Sequence, residues 1–333
     1  MIRLLRVVSM VALLAGCTGL PSFQTILPLD PARALADEVF TLPDGARLPV
    51  RVWRPGGPPG PPVRGVVLAL HGFNDSRDAW ALPAPTLAAG GLLVYAPDQR
   101  GFGAAPGRGT WPGVPTLVAD ADAMLRLLIA RHPGLPVYAM GESMGGAVLM
   151  TLAAWETPPP VAGWILLSPA VWDREGQGPL LSGSLWLVTH TAPGLSVTGA
   201  EVRLRVRASD NRDALLALTR NPLTIRRTRF DTLSGLDDLM DAAQAASARL
   251  PANTLLLYGA HDTLVPEPSM RRAWRAMPAS VRRGFYPDGY HLLLRDIGRA
   301  GPIQDVLAWT KDPSGRLPSG ADGAAAAWWA RPR

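Results

Sequence analysis

The chain contains 333 residues, of which 47% are hydrophobic, and its 33 Lys and Arg residues exceed its 27 Asp and Glu residues by six. An apolar content of this kind over about 300 residues suffices for one large core, and α/β sheets of this length usually stay one domain. Lys311 is the only lysine, and the arginines form no basic block interleaved with aromatic residues, so nothing indicates nucleic-acid binding. Cys17 is the only cysteine, which excludes internal disulfides.

The first predicted element is an N-terminal export signal. Arg3 and Arg6 precede an apolar run at residues 7–14, which is too short to span a bilayer as a helix. The run leads into Leu14-Ala15-Gly16-Cys17, where a lone thiol is hard to explain as core filling. We therefore expect residues 1–16 to be a cleaved signal peptide.

The end of this signal resembles a bacterial lipoprotein lipobox, in which the cysteine sulfur is acylated. The resemblance implies that Cys17 is lipidated and that residues 17–35 form a tether. Each buried CH₂ of an acyl chain contributes about 0.8 kcal/mol, so several chains would hold the protein on a membrane. Thr18, not an acid, follows the cysteine, which in Gram-negative lipoproteins implies the outer membrane. An ordinary signal with a coincidental cysteine is the alternative.

The remaining pattern predicts an α/β fold in one domain at residues 36–311. Residues 39–42 and 48–53 predict an antiparallel hairpin around Asp44-Gly45. From residue 65 onward strands and helices alternate, which indicates a mostly parallel sheet with helices on both faces. Strands are predicted at residues 65–71, 92–97, 136–141, 162–168, 253–259 and 283–287, and helices at 114–131, 144–156, 267–276 and 301–310.

Residues 136–152 carry the most informative pattern in the chain. A short apolar strand runs into Gly141-Glu142-Ser143-Met144-Gly145 and then directly into a helical pattern. A serine on such a sharp strand-to-helix turn has its hydroxyl pushed out of the sheet, and the glycines supply the clearance that the turn needs. The context favours Ser143 as a nucleophile over a serine in an ordinary surface turn.

A serine nucleophile needs a base and an orienting acid, and in folds with this elbow the chain order is Ser, then Asp or Glu, then His. Asp262 ends a buried-type strand, at the sheet edge where ligand-facing residues gather. His291 follows another short strand and is the expected base. His261 adjoins Asp262 and should point the opposite way. His132 and His190 are expected to be surface residues, and Asp237 and Asp238 to be first-turn helix charges.

An oxyanion hole requires two backbone N–H groups, one from the residue after the nucleophile and one from the loop after the third strand. Met144 supplies the first. The buried strand that begins at Gly65 breaks at His71-Gly72, which makes the Phe73 N–H the second donor. His71 is then expected to hold this loop as a structural residue.

Two further segments depart from the alternation. Residues from about 172 to 232 interrupt it and contain the apolar stretch 180–188, which lines an acyl tunnel or simply packs on the core. An arginine cluster follows, which favours anionic head groups or an anionic membrane surface, with a solvated polar face as the alternative. The cluster comprises Arg203, Arg205, Arg207, Arg226, Arg227 and Arg229. The low-complexity tail at residues 312–333 is expected to be disordered, with Trp328-Trp329 as a sticky patch.

Five motifs in order give the chain a family resemblance over about residues 36–311. They are His71-Gly72-Phe73, Asp98 to Gly103, Gly141 to Gly146, Tyr258 to Asp262, and Tyr290-His291. The chain resembles the α/β-hydrolase superfamily and, more narrowly, its bacterial monoacylglycerol lipase and lysophospholipase branch. The resemblance implies Ser143 as nucleophile, Asp262 and His291 as its partners, Phe73 and Met144 as oxyanion donors, and a cap at residues 172–232. Gln99 departs from the family pattern, which often has His there, in a loop expected to shape the sheet edge rather than the chemistry.

The expected activity is carboxylic ester hydrolysis through an acyl-enzyme, with a monoacylglycerol, a lysophospholipid or a small ester as substrate. We expect no metal and no cofactor, because the sequence shows no clustered ligand spacing. A peptidase or amidase would use the same triad, so that class stays open, as does a non-catalytic binding lipoprotein. Dehalogenases of this fold normally have Asp at the elbow, so Ser143 argues against them.

Overall fold

The computed structural model describes residues 37–56, 61–198 and 206–331. The predicted signal, the tether and Cys17 lie outside these ranges. The strands are β1 (Glu38–Thr41), β2 (Arg47–Trp53), β3 (Gly65–Leu70), β4 (Leu92–Pro97), β5 (Val137–Glu142), β6 (Gly163–Leu167), β7 (Ser196–Val197), β8 (Thr228–Arg229), β9 (Thr254–Gly259) and β10 (Arg282–Tyr286). The helices are α1 (Ala84–Ala89), α2 (Val114–Arg131), α3 (Met144–Ala153), α4 (Arg174–Gln177), α5 (Pro179–Thr191), α6 (Arg212–Arg220), α7 (Phe230–Ala246), α8 (Glu267–Ala276), α9 (Ala300–Trp309) and α10 (Ala321–Trp329).

Eight strands form one sheet in the order β1-β2-β4-β3-β5-β6-β9-β10. β1 and β2 are the predicted antiparallel hairpin, β2 also runs antiparallel to β4, and every other pairing in the sheet is parallel. β3, β4, β5, β6 and β9 are buried along their whole length, as expected for strands covered on both faces. The predicted mostly parallel α/β fold is confirmed.

The sheet separates two hydrophobic clusters. Along β3, Val66, Leu68 and Leu70 belong to one cluster and Val67 and Ala69 to the other, because successive side chains of a strand point to opposite faces. The first cluster contains residues of α2, α3, α7 and α8, and the second contains residues of α1 and α9. Helices therefore cover both faces, as predicted.

Residues 312–331 of the tail are ordered, and the expectation of disorder was wrong for them. Residues 321–329 form α10, which packs against the edge strand β10. Leu317 and Trp328 are buried, and the Trp328 ring stacks on Phe285 of β10 at 4.9 Å between ring centroids. The alanine run that gives the tail its low complexity is also the best helix-forming sequence, and burial of Trp328 holds the helix in place.

The segment after β6 contains α4, α5 and α6 and a two-stranded antiparallel sheet of β7 and β8, and it leads into α7. Because α7 begins at Phe230, Asp237 and Asp238 lie in its middle and are not first-turn charges as predicted. Asp237 accepts a hydrogen bond from Gln177 (2.9 Å), and Asp238 pairs with Arg174 (2.7 Å), so both carboxylates connect α7 to α4 of the cap. Across residues 37–56, 61–198 and 206–331, no helix is both long enough and apolar enough to cross a bilayer.

Candidate active site

Ser143 lies on the turn between β5 and α3 with a backbone φ of 53° and ψ of −114°. Its N–H donates to Leu167 O on β6 at 2.9 Å, so pairing in the sheet holds this strained conformation. A Cβ at Gly145 would lie 2.4 Å from Leu70 O, and one at Gly141 would lie 2.4 Å from the carbonyl carbon of Gly145. Only glycine fits at either position, which gives the nucleophile-elbow geometry that the sequence predicts.

Asp262 and His291 come together at the carboxyl ends of β9 and β10. His291 Nδ1 lies 2.8 Å from Asp262 Oδ2, and both side chains are buried. Asp262 Oδ1 accepts hydrogen bonds from the N–H groups of Leu264 and Val265, each at 2.9 Å, so the carboxylate cannot rotate freely. This arrangement commits Nδ1 to Asp262 and leaves Nε2 of His291 for proton transfer. Ser143 and His291, which both lie in the described part of the chain, form no hydrogen bond with each other. A catalytic contact of this kind often forms only when substrate binds.

The surroundings of His291 raise its pKa above the ordinary value of 6.5. Burial by itself lowers this pKa, but the charge of Asp262, the hydrogen bond to Asp262 and the charge of Glu142 raise it, and Arg295 partly opposes them. Asp262 therefore stabilises the charged imidazole that forms when His291 takes a proton.

The other histidines have different partners. Gln99 N–H donates to His71 Nε2 at 3.1 Å, which requires the tautomer with the proton on Nδ1, and Nδ1 then donates to Gly72 O at 2.8 Å. With both ring nitrogens engaged and the side chain buried, His71 has no atom left to act as a base. His261 is exposed and packs beside Tyr290, with the ring centroids 5.1 Å apart.

The loop after β3, residues 71–76 and here called the oxyanion loop, places the predicted donor Phe73 beside Ser143, and the start of α3 places the other, Met144. A Cβ at Gly72 would lie 3.4 Å from the Ser143 Cβ, so this loop touches the elbow directly. Phe73 follows Gly72, and within residues 61–198 its N–H donates to no protein acceptor. Met144 is the first residue of α3, a position whose N–H has no partner within the helix.

Gln99 holds this oxyanion loop, a role that sequence reasoning missed. Besides the bond to the imidazole, its side-chain amide donates to His71 O at 2.7 Å. The preceding Asp98 accepts from Arg77 N–H at 2.7 Å and forms a fully buried ion pair with the Arg77 guanidinium. The loop at residues 98–103 therefore supports the oxyanion loop directly, and its contribution extends beyond the sheet edge.

Arg295 is a second residue that sequence reasoning missed. Its guanidinium donates to Asp75 Oδ2 at 2.8 Å and to Glu142 Oε1, and all three side chains are buried. The only sequence signal was its position close after His291 in the same loop. Arg295 and Asp75 also line a cavity of about 600 Å³ beneath α6, which is not lined by Ser143, Asp262 or His291.

The cap residues Ala208 and Ser209 are bound to the loop that carries His291. Leu292 N–H donates to Ala208 O at 2.9 Å, and Ser209 Oγ donates to Asp296 Oδ1 at 2.6 Å. The other carboxylate oxygen of Asp296 accepts from Tyr290 N–H at 2.8 Å. The conformation of the His291 loop therefore depends on contacts with the cap.

The cap carries exposed apolar side chains and several arginines that contact neighbouring groups. Leu180, Trp186 and Leu187 of α5 are 64%, 59% and 51% exposed. Arg227 donates to Ser196 O at 2.6 Å, whereas Arg226 is exposed. Within the predicted arginine cluster, Arg229 pairs with Asp231 and Arg207 lies 4.9 Å from the Tyr290 ring centroid, while Arg203 and Arg205 lie outside the described residues.

Comparisons with known proteins agree with this geometry. The sequence profile of the family described as serine aminopeptidase, S33, matches residues 61–298. The chain is 29% identical over 272 residues to a monoacylglycerol lipase of Mycolicibacterium smegmatis, which covers 80% of this chain and 93% of that protein. It is 34% identical over 263 residues to the human monoglyceride lipase, which covers 76% of this chain and 82% of that protein.

Solved structures show the same fold. The crystal structure of the monoacylglycerol lipase of Paleococcus ferrophilus superposes with a TM-score of 0.65 at 22% sequence identity, covering 79% of this chain and 98% of the other. At this identity the likeness concerns the fold, and it extends over nearly the whole length of that enzyme.

Proposed function

Since the chain belongs to the serine aminopeptidase S33 family and is a carboxylic ester hydrolase with the α/β-hydrolase fold, we propose that Ser143, His291 and Asp262 form its catalytic triad and that its substrates are monoacylglycerols or lysophospholipids. The observation that carries this proposal is the buried hydrogen bond of 2.8 Å between His291 and Asp262. It accompanies a serine at positive φ on a glycine-lined elbow.

The proposed reaction has two acyl-transfer steps. His291 Nε2 takes the proton of Ser143 Oγ, which attacks the ester carbonyl carbon, and the N–H groups of Phe73 and Met144 stabilise the negative oxygen. The ester C–O bond then breaks, and the leaving glycerol or alcohol oxygen takes the proton from His291. Water attacks the acyl-serine by the same route, releases the fatty acid and returns the proton to Ser143. Asp262 keeps the imidazole in the tautomer with Nε2 free and stabilises its charged form.

The lipid part of the proposal has two supports. The relatives described above act, by their names, on monoacylglycerols or monoglycerides. The exposed apolar side chains of α5 stand on the cap, where a substrate dispersed in a membrane would approach. We further propose that Cys17 is acylated and anchors the enzyme to the bacterial envelope, which would keep the cap close to such substrates.

The test is fatty-acid release by the chain starting at Thr18 from monoacylglycerols, lysophospholipids and short soluble esters. Ser143→Ala removes the nucleophile, and Ser314→Ala, at an exposed loop serine, is the matched control. We expect long-chain ester cleavage that survives Ser314→Ala and is lost in Ser143→Ala. Unchanged turnover in Ser143→Ala would remove this serine from the mechanism, and cleavage of aminoacyl amides but no esters would favour a peptidase.

Palmitate labelling in a Gram-negative host tests the anchor. The full-length chain should incorporate the label and sediment with membranes, and Cys17→Ser should abolish both. A Cys17→Ser chain that still carries the label would refute lipidation at this residue.

A further inference from the structure

We propose that Arg295 is a positioning residue for the reaction, which holds the nucleophile elbow, the oxyanion loop and the His291 loop in register and balances the charge of Glu142 beside the base. The proposal rests on the triad proposed above. Arg295 itself does not contact substrate. It acts through the nucleophile elbow, the oxyanion loop and the His291 loop, which do.

The three loops meet at one guanidinium. Glu142 is the last residue of β5 and immediately precedes the nucleophile Ser143. Asp75 lies two residues after Phe73, and its other oxygen accepts from Ser76 N–H at 2.8 Å, which fixes the carboxylate to the oxyanion loop. Arg295 itself belongs to the loop that carries His291. A planar guanidinium that binds two carboxylates at once sets the distance between the loops that carry them.

Burial makes these contacts decisive. Arg295, Asp75 and Glu142 are 6%, 5% and 2% exposed. Removing the guanidinium leaves two buried carboxylates without their shared partner, which is far more costly than losing an exposed ion pair. The two neighbouring carboxylates also raise the pKa of Arg295 above its ordinary value despite its burial, so the guanidinium stays charged at every pH used for assay.

Three charged groups influence the imidazole of His291. Asp262 acts from the loop after β9, Glu142 from the end of β5, and Arg295 from the base's own loop. The two carboxylates raise the pKa of His291 and Arg295 lowers it. Glu142 and Arg295 therefore act on the pKa of His291 in opposite directions. Substitutions that remove their charges should shift this pKa with opposite signs.

The experiment measures kcat/KM against pH for a soluble ester in four variants. Arg295→Met should move the acidic limb of the kcat/KM profile to higher pH, and Glu142→Gln should move it to lower pH, each by about one pH unit. The double variant Arg295→Met/Glu142→Gln should return the limb close to its original position. Arg295→Lys keeps the charge but cannot bind both carboxylates in the same geometry. The acidic limb should therefore stay in place while kcat falls by up to about 100-fold.

A purely structural role would lower the rate without these signed shifts. Unmoved limbs, or limbs that move in the same direction in Arg295→Met and Glu142→Gln, would overturn the proposal. If Arg295→Met fails to fold, Glu142→Gln should still move the acidic limb to lower pH and the double variant should still return it, and circular dichroism monitors folding throughout.

The pH dependence of Ser143 labelling by a fluorophosphonate separates the two proposals. If the wild-type chain is active but the acidic limbs of the variants do not move, only the proposed role of Arg295 is refuted. A wild-type chain that neither hydrolyses esters nor takes the label refutes the proposed triad, and the role of Arg295 with it.

Discussion

Trp328→Ala should strongly destabilise the fold, although this residue belongs to a tail whose composition suggests disorder. Trp328 is 2% exposed, and its ring centroid lies 4.9 Å from those of Trp274 and Phe285 and 5.9 Å from that of Tyr258. The guanidinium of Arg271 lies 4.2 Å from the same ring centroid. Truncating a buried tryptophan costs about 3–5 kcal/mol, and the cation–π contact adds about 0.5–1 kcal/mol. We therefore expect the free energy of unfolding to fall by about 4 kcal/mol.

The adjacent Trp329 provides a matched control because it is 39% exposed on the same helix. Trp329→Ala should lower the free energy of unfolding by less than about 1 kcal/mol. Urea unfolding followed by far-ultraviolet circular dichroism measures both variants without relying on tryptophan fluorescence. Equal losses in the two variants, or a loss below about 1 kcal/mol for Trp328→Ala, would refute the conclusion that α10 completes the core.

Three further predictions concern the site. Asp262→Asn should lower kcat for ester cleavage by about 10⁴-fold because the imidazole loses its orienting charge, and a loss below tenfold would contradict the triad. Because the pKa of His291 is raised and the base must be neutral, kcat/KM should rise with pH through a midpoint above about 6.5, whereas a midpoint below that value would contradict the electrostatics of the site. Gly145→Ala should abolish fluorophosphonate labelling because its Cβ would lie 2.4 Å from Leu70 O, while Gly323→Ala, which has open space, should label normally. Normal labelling of Gly145→Ala would refute the tight elbow.

Much of the fold could be predicted because its signals are local. A buried parallel strand is a continuous apolar run, so β3 and β9 are visible in the sequence and their bounds differ from the prediction by one residue. The elbow is equally visible, because the turn around Ser143 requires glycines at fixed spacing. Candidate triad partners follow from a simple topological fact: parallel strands end at the same edge of the sheet.

The rest could not be predicted because it depends on long-range contacts. Arg295 meets Glu142 and Asp75 across 153 and 220 positions of sequence, and nothing near any of them indicates the pairing. Trp328 belongs to an alanine-rich tail whose composition conceals its contact with Phe285 on the edge strand. Gln99 looks like a loss of the family's histidine until its two contacts with His71 are seen.

The order of strands in the sheet also determines when the chain can become reactive during its synthesis. Ser143 lies at the end of β5, but the proposed acid and base follow β9 and β10, the last two strands to emerge. β9 pairs with β6, and β10 adds at the outer edge of β9, so the proposed base reaches Ser143 only after β6, β9 and β10 have joined the sheet. A growing chain therefore carries a serine without the proposed means to activate it until folding is complete.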